Sequence, residues 1–385
     1  MFNRILTLPL DQQTSIFLFG PRGTGKTWWI KEHLLKNNPD TTLYLDLLDF
    51  ALYSNLSANP NRLESLIPAA FTGWIVIDEV QKVPELLNEV HRLIEHRQFR
   101  FLLTGSSARS LRRKGVNLLA GRALTYAMHP LTIQELGDNF NLTQAINFGL
   151  LPKIINNPDP SNYLHSYVQT YLREEVLQEG LTRNIGSFNQ FLEVASFSQG
   201  QLLNFSEIAR ELSINRLVVA NYFDILEDLL IAIRIPSFNI RAKRKVIAHQ
   251  KFYFFDTGVY RTVRPRGPLY TQAETEGPLL ETLFLEALRA INDYYKLGYT
   301  IYFWRTIQGH EIDFVLYGER GFHAFEIKRS DQITSNSLKG LQFFAQEYPE
   351  AKLHIIYGGN RKEYHGNITA IPFEQALREL PEMLK

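Results

Sequence analysis

Gly20-Pro21-Arg22-Gly23-Thr24-Gly25-Lys26-Thr27 constrains this chain more than any other stretch. Ahead of it lies Ser15-Ile16-Phe17-Leu18-Phe19, a short apolar run of the kind that forms a buried parallel strand. After it, Trp28 to Leu35 has the pattern of a helix. Strand, glycine-rich turn and helix in that order bring backbone N–H groups and the positive end of a helix to one point, where an anion is stabilised. Gly23 and Gly25 let the N–H groups turn inward, Lys26 is placed for β- and γ-phosphates, and Thr27 offers a hydroxyl to Mg²⁺. Gly20, Pro21, Arg22 and Thr24 complete the predicted cradle, and the expected ligands are ATP and Mg²⁺.

A phosphate cradle needs carboxylates across from it. Trp74-Ile75-Val76-Ile77 is a second buried-strand pattern and ends in Asp78-Glu79. Asp78 is expected in the Mg²⁺ shell, and Glu79 is expected to orient and deprotonate the attacking water. Thr42 to Leu45 and Phe101 to Leu103 read as further strands. At the end of the latter, Thr104-Gly105-Ser106-Ser107 offers hydroxyls, and Ser106 is the candidate to reach the water or γ-phosphate. A hydroxyl there serves equally as a helix cap. Beyond a basic stretch (Arg109, Arg112, Arg113, Lys114), Arg122 precedes a strand from Ala123 to Met128. It is the candidate finger reaching a neighbouring subunit's nucleotide, which would require a homo-oligomer.

These blocks, with Leu119-Ala120-Gly121-Arg122 and the following His129-Pro130-Leu131, resemble the bacterial and archaeal AAA-type ATPases that carry a DUF4143 C-terminal region. The likeness runs over nearly the whole chain. It implies an AAA/RecA-like ATPase with a DNA-related C-terminal half. Length agrees, since 385 residues accommodate two to three domains. The absence of cysteine excludes disulfides, thiolate nucleophiles and cysteine metal sites, and suits a reducing cytoplasm. No apolar run approaches the length of a membrane span.

Further along, Leu131 to Ile155 reads as a helical lid after the ATPase sheet. Phe205 to Leu212 and Asn215 to Leu226 read as two helices joined at Ser213-Ile214, with Ile208, Ala209, Leu212, Val218, Tyr222, Ile225 and Leu226 packing them together. Strand-like runs at 229–235 and 246–255 complete a winged helix. A net charge of +1 hides a local excess here: between Arg241 and Arg266 stand eight basic residues, Lys251 among them, and one acid. Arg241, Lys243, Arg244 and Lys245 are expected to contact DNA phosphates without reading sequence. Arg216 on the second helix, with Asn215 and Asn221, offers modest base-reading chemistry. Winged helices also dock proteins, which leaves that alternative open.

From Gly277 the order is helix, three strands, helix, strand. Asp313 lies in the second strand, and Glu326 and Lys328 end the third as Glu-x-Lys. Residues two apart on a strand share a face, so both carboxylates converge with Lys328 at one sheet edge. Hard oxygen ligands suit Mg²⁺ or Mn²⁺; Glu281 on the preceding helix would complete the shell, and Lys328 would position the attacking water. Glu311 is a supporting acid. This αβββαβ arrangement resembles the PD-(D/E)xK nuclease superfamily. A fold retained without cleavage, or a solvent-facing Glu326–Lys328 pair, are the alternatives. The predicted architecture is thus α/β: a P-loop ATPase core over residues 1–130, a helical lid and linker over 131–180, a winged helix over 181–266 and an αβββαβ nuclease-like domain over 267–385.

Overall fold

The structure is a computed structural model and describes residues 2–107, 119–172, 176, 185–240, 249–265, 267 and 272–385. Arg109 to Lys114, the basic stretch Arg241 to Lys245, and Arg266 lie outside the described residues. The chain forms two compact units, one of residues 3–129 with 228–230, the other essentially of 130–227 and 231–385.

In the first unit β1 (Ser15–Phe19), β2 (Thr42–Asp46), β3 (Trp74–Asp78), β4 (Arg100–Gly105) and β5 (Ala123–Ala127) form one sheet in the order β2-β3-β4-β1-β5. Every pairing is parallel. Strands of such a sheet are covered on both faces, so they read as unbroken apolar runs; β1 and β3 are buried at every position. Phe17, Ile75, Ile77, Phe101 and Leu103 pack against Leu86, Leu87, Val90 and Leu93 of helix Leu86–Arg97. That helix closes with His96 and Arg97 beside its negative end, and Gln98 turns left-handed (φ 56°) to stop it. The helix after the glycine-rich turn starts at Lys26 and holds α geometry to Ile30, then widens over Lys31–Leu35, where Lys36 N–H donates to the Lys31 carbonyl at 2.9 Å. With β4 inserted between β1 and β3, the loop after β1 and the acids after β3 face each other across the end of β4.

In the second unit the segment read as a lid packs, among the described residues, into the main core. Leu131, Ile133, Leu136, Phe140, Ala145 and Leu150 belong to one core with Leu283, Phe284, Phe314, Phe325 and Leu377. The apolar spacing read as a lid is met by helices Gln272–Tyr294 and Phe373–Leu384. Leu150 N–H donates to the buried Asp256 at 2.9 Å, and Thr257 Oγ1 donates to the Ala145 carbonyl at 2.5 Å.

The two expected helices form as Phe205–Glu211 and Arg216–Asp228, with Ser213 left-handed (φ 54°) between them. The buried face of the second is set by Val219, Tyr222, Phe223, Ile225 and Leu226. Val218 is 38% exposed, so the buried face starts one residue later than its apolar spacing implies. Phe188 and Phe191 of helix Ile185–Ser196 close this core against Tyr222 and Phe223. The strand-like runs shrink to β6 (Ala232–Ile235) and β7 (Lys251–Phe254), an antiparallel pair. Just beyond β6, Phe238 N–H donates to the Phe303 carbonyl at 2.6 Å and buries its ring among Tyr302, Phe322 and Tyr348.

The C-terminal sheet runs β12-β13-β11-β10-β9-β8. β8 (Thr300–Arg305), β9 (Glu311–Gly318) and β10 (Gly321–Lys328) are an antiparallel meander; helix Ser335–Glu347 crosses back to β11 (Lys352–Tyr357), parallel to β10. The expected αβββαβ order is present. It is extended by β12 (Glu363–His365), β13 (Ile368–Pro372) and helix Phe373–Leu384, with β12 and β13 joined through Gly366 at φ 64°.

Candidate functional site

The first site forms at the C-terminal ends of β1, β3 and β4. Gly23 (φ 84°) and Gly25 (φ 97°) adopt left-handed backbone that favours glycine, and a Cβ on Gly20 would collide with the Met128 carbonyl. Thr24 Oγ1 ties the loop to the Pro21 carbonyl at 2.8 Å. Arg4 clasps it from outside, donating to the carbonyls of Thr24 and His129 at 2.6 Å each. Lys26 is 5% exposed and its ammonium lies inside the loop, on the carbonyls of Gly20 (2.7 Å) and Pro21 (3.3 Å). Arg22 is exposed beside this loop.

Across from the loop, Asp78 is buried and accepts from three hydroxyls. Thr27 and Tyr44 each donate to Oδ2 at 2.7 Å, and Thr104 donates to Oδ1. Burial, and then the Asp78 hydrogen bond, raises the Tyr44 phenol far above its ordinary range, so it remains a neutral donor. Thr104 also accepts from Glu79 N–H at 3.0 Å. Glu79 adopts left-handed backbone (φ 60°, ψ 46°), uncommon for a residue with a side chain. This turn separates its carboxylate from that of Asp78. Gln81 Nε2 donates to Glu79 Oε2 and to Ser106 Oγ (3.0 Å), with Ser106 3.4 Å from Glu79.

Ser106, the candidate to reach the water or γ-phosphate, thus sits beside the Glu79 carboxylate, while Thr104 supports Asp78. Tyr44 and Gln81 escape a reading of the sequence: a tyrosine inside a strand and a glutamine after Asp-Glu carry no motif, although Tyr44 lies two residues before the end of β2. Arg122 is ion-paired with Glu95 of its own chain. The donor set fits magnesium, which takes one or two carboxylates and a hydroxyl alongside nucleotide phosphates.

The second site lies in the second unit and gathers the expected acids around an unexpected cation. Lys251, counted in the sequence toward the basic excess of the wing region, is 2% exposed. Its Nζ lies 3.2 Å from Asp313 Oδ1 and 3.8 Å from Glu281 Oε2, and it pairs with Glu311. The other Asp313 oxygen accepts from Ile327 N–H at 2.9 Å, and Tyr253 donates to Glu281 at 2.7 Å. Thus the backbone of Ile327 presents its N–H to Asp313. Lys328 donates to Glu326 Oε1 at 2.5 Å, and Glu326 Oε2 is buried without a partner.

Burial, then the neighbouring Asp313 charge, pushes Glu281 up to about 7 and Glu326 up to about 8. Burial disfavours the Lys251 ammonium, but Tyr253 and the acids Glu281, Asp313 and Glu311 raise its pKa well above the ordinary lysine value. Among the described residues, no group of three or more histidine or acidic side chains is arranged to hold a metal ion. The Lys251 ammonium sits on carboxylate oxygens of Glu311 and Asp313 that the expected Mg²⁺ or Mn²⁺ would need.

The basic excess of residues 241–266 is also divided. Lys251 is internal, Arg264 stacks on the Phe197 ring at 3.6 Å, and Arg241, Lys243, Arg244, Lys245 and Arg266 lie outside the described residues. Arg216 is exposed at the start of its helix, and Asn215 is occupied accepting from Leu217 N–H at 2.8 Å.

Comparisons with known proteins match three regions along the chain. An AAA domain model matches residues 12–137, a domain of unknown function, DUF8612, matches 139–269, and another, DUF4143, matches 276–376. An uncharacterized protein of Mycobacterium tuberculosis is 26% identical over 381 residues, covering 96% of this chain and 82% of its own. Another from Methanocaldococcus jannaschii is 24% identical over 349 residues, covering 83% and 76%. Among solved structures, the Aeropyrum pernix Orc1 protein in complex with DNA aligns at 13% identity and a TM-score of 0.26, covering 71% of this chain and 88% of that one. No helix among the described residues is long and apolar enough to cross a membrane.

Proposed function

We propose that this chain, which joins an AAA domain to a DUF4143 domain, hydrolyses ATP in its first unit and uses nucleotide state to control how its second unit engages DNA. The observation that carries hydrolysis is the pairing of Thr27 with Asp78 while Glu79 is held apart by Gln81 and Ser106. Glycines 20, 23 and 25 and Lys26 would hold the phosphates, and Thr27 and Asp78 would hold Mg²⁺, which neutralises charge on the phosphoryl oxygens when bound. Glu79 orients a water and accepts its proton; Gln81 and Ser106 limit the rotation of that carboxylate. Tyr44 and Thr104 fix Asp78 facing Thr27. In the test, Lys26→Ala and Glu79→Gln each abolish phosphate release from ATP. Near-normal turnover in either variant overturns the assignment. A trans role for Arg122 requires it to leave Glu95, and predicts turnover per chain that rises with protein concentration.

DNA engagement is supported by the cation density of Arg241 to Lys245 and by the exposed Arg216. Binding to duplex should weaken with salt. Neutralising Arg241, Lys243, Arg244 and Lys245 should flatten that salt slope by roughly one for each phosphate left without its cation. Salt-independent retention would instead mark this region as a protein-docking module. For the C-terminal domain two readings compete: Mg²⁺- or Mn²⁺-dependent cleavage through Asp313, Glu326 and Lys328, or a fold that holds DNA without cutting it. The place of Lys251 supports the second. Single-stranded, duplex and branched DNA incubated with Mg²⁺ or Mn²⁺, with and without ATP, should be bound and left intact.

A further inference from the structure

We infer that Lys251 is the resident cation of the C-terminal acidic site, its ammonium group taking the place among the carboxylates that a divalent ion would need, and that it thereby fastens the β6–β7 hairpin to the nuclease-like sheet. The inference deepens the non-cutting reading and rests on it. Lys251 comes from the region matched by DUF8612, whereas Glu281, Glu311 and Asp313 come from the region matched by DUF4143. The ion cluster therefore joins two sequence modules of one compact unit.

Three observations support this assignment. Lys251 opens β7, where strand pairing with Ile235 and a bridge to Leu202 fix its backbone, so its Nζ is delivered to one place. Its side chain is 2% exposed, and a lone ammonium so deeply buried is too costly to persist without partners. Those partners arrive from separate elements: Glu281 from helix Gln272–Tyr294, and Glu311 and Asp313 from β9. Tyr253, two residues further on the same strand, donates to Glu281, and the Ile327 N–H takes the second oxygen of Asp313. These two donors hold the carboxylates of Glu281 and Asp313 in place around the Lys251 ammonium. Phe238, beyond the other strand of the hairpin, buries its ring in the same sheet and makes a second, apolar fastening.

The test is Mn²⁺ titration of the full chain without nucleotide, read by the electron paramagnetic signal of free Mn²⁺. It compares the wild type, Asp313→Asn, Lys251→Ala and the double variant. Wild type and Asp313→Asn should bind Mn²⁺ alike. Lys251→Ala should gain a site at least tenfold tighter than any in the wild type, and Asp313→Asn in that background should erase it. Wild-type binding that is lost in Asp313→Asn overturns the inference, as does a folded Lys251→Ala chain that gains no such site. Should Lys251→Ala fail to fold, the wild type and Asp313→Asn still decide, equal binding upholding the inference and unequal binding refuting it. Cleavage of DNA by the wild type would defeat the underlying non-cutting reading on its own, by a readout separate from Mn²⁺ binding.

Discussion

The chain gathers carboxylates in two places and satisfies them differently. At the end of β3, Asp78 is surrounded by the hydroxyls of Thr27, Tyr44 and Thr104. Around β9 and β10, Asp313, Glu311 and Glu281 surround the ammonium of Lys251. Hydroxyls stabilise a carboxylate without cancelling its charge, and one of them can turn its oxygen toward an arriving cation. An ammonium offsets part of the charge and occupies the space. A cluster of acids therefore does not by itself announce a metal site; the charge of the donors facing it decides.

The largest expected effects lie at the first site. If Glu79 accepts the proton of the attacking water as proposed, Glu79→Gln should cut ATP turnover by roughly 10²–10⁴-fold, and Lys26→Ala should do at least as much, both read by phosphate release. Retained turnover would remove the distinction between the two sites. At the second site the expected loss is in stability. Lys251→Met leaves buried carboxylates without their cation and should cost about 3–5 kcal/mol in denaturant unfolding. A cost near zero would show that the acids are simply protonated or hydrated.

Lys251 also shows where sequence reading stops. The candidate phosphate cradle was legible because it is contiguous in the chain and Asp78-Glu79 ends a strand whose apolar run is unmistakable. The αβββαβ order and the convergence of Asp313 with Glu326 were legible from strand alternation. Lys251 was not, because it lies 62 positions from Asp313 and, within the strand-like run 246–255, it counted only as one more cation of a basic segment. Only pairing of β7 with Ile235 and Leu202 brings it under the acids. Similarly, Leu131 to Leu150 showed apolar spacing but not its partner, which is supplied by helices more than a hundred residues later.

Two smaller effects sharpen the comparison. His323 and His354 lie on neighbouring strands of the second unit, their rings 5.6 Å apart. Burial, then nearby lysine charge, lowers His323 to about 4, and burial with His323 lowers His354 to about 3. The unfolded chain takes up these protons below about pH 6.5 while the folded chain resists until its own lower pKa is reached. Relative to His323→Gln, the wild type should therefore lose about 2 kcal/mol of stability between pH 7 and pH 5. No pH dependence of that difference would mean that the ring is hydrated. Least of all, Tyr44→Phe removes one hydrogen bond to Asp78 and should cost about 1 kcal/mol, with turnover kept within a few-fold. A collapse of turnover would give Tyr44 a direct part in holding the metal.

The most direct test of the contrast is to give the full chain labelled duplex DNA, Mg²⁺ and ATP in one reaction and follow both phosphate release and strand length. The account predicts that ATP is consumed and DNA is bound but intact. Strand cleavage that disappears in Asp313→Ala would contradict it, because the second site would then be working as the first one does.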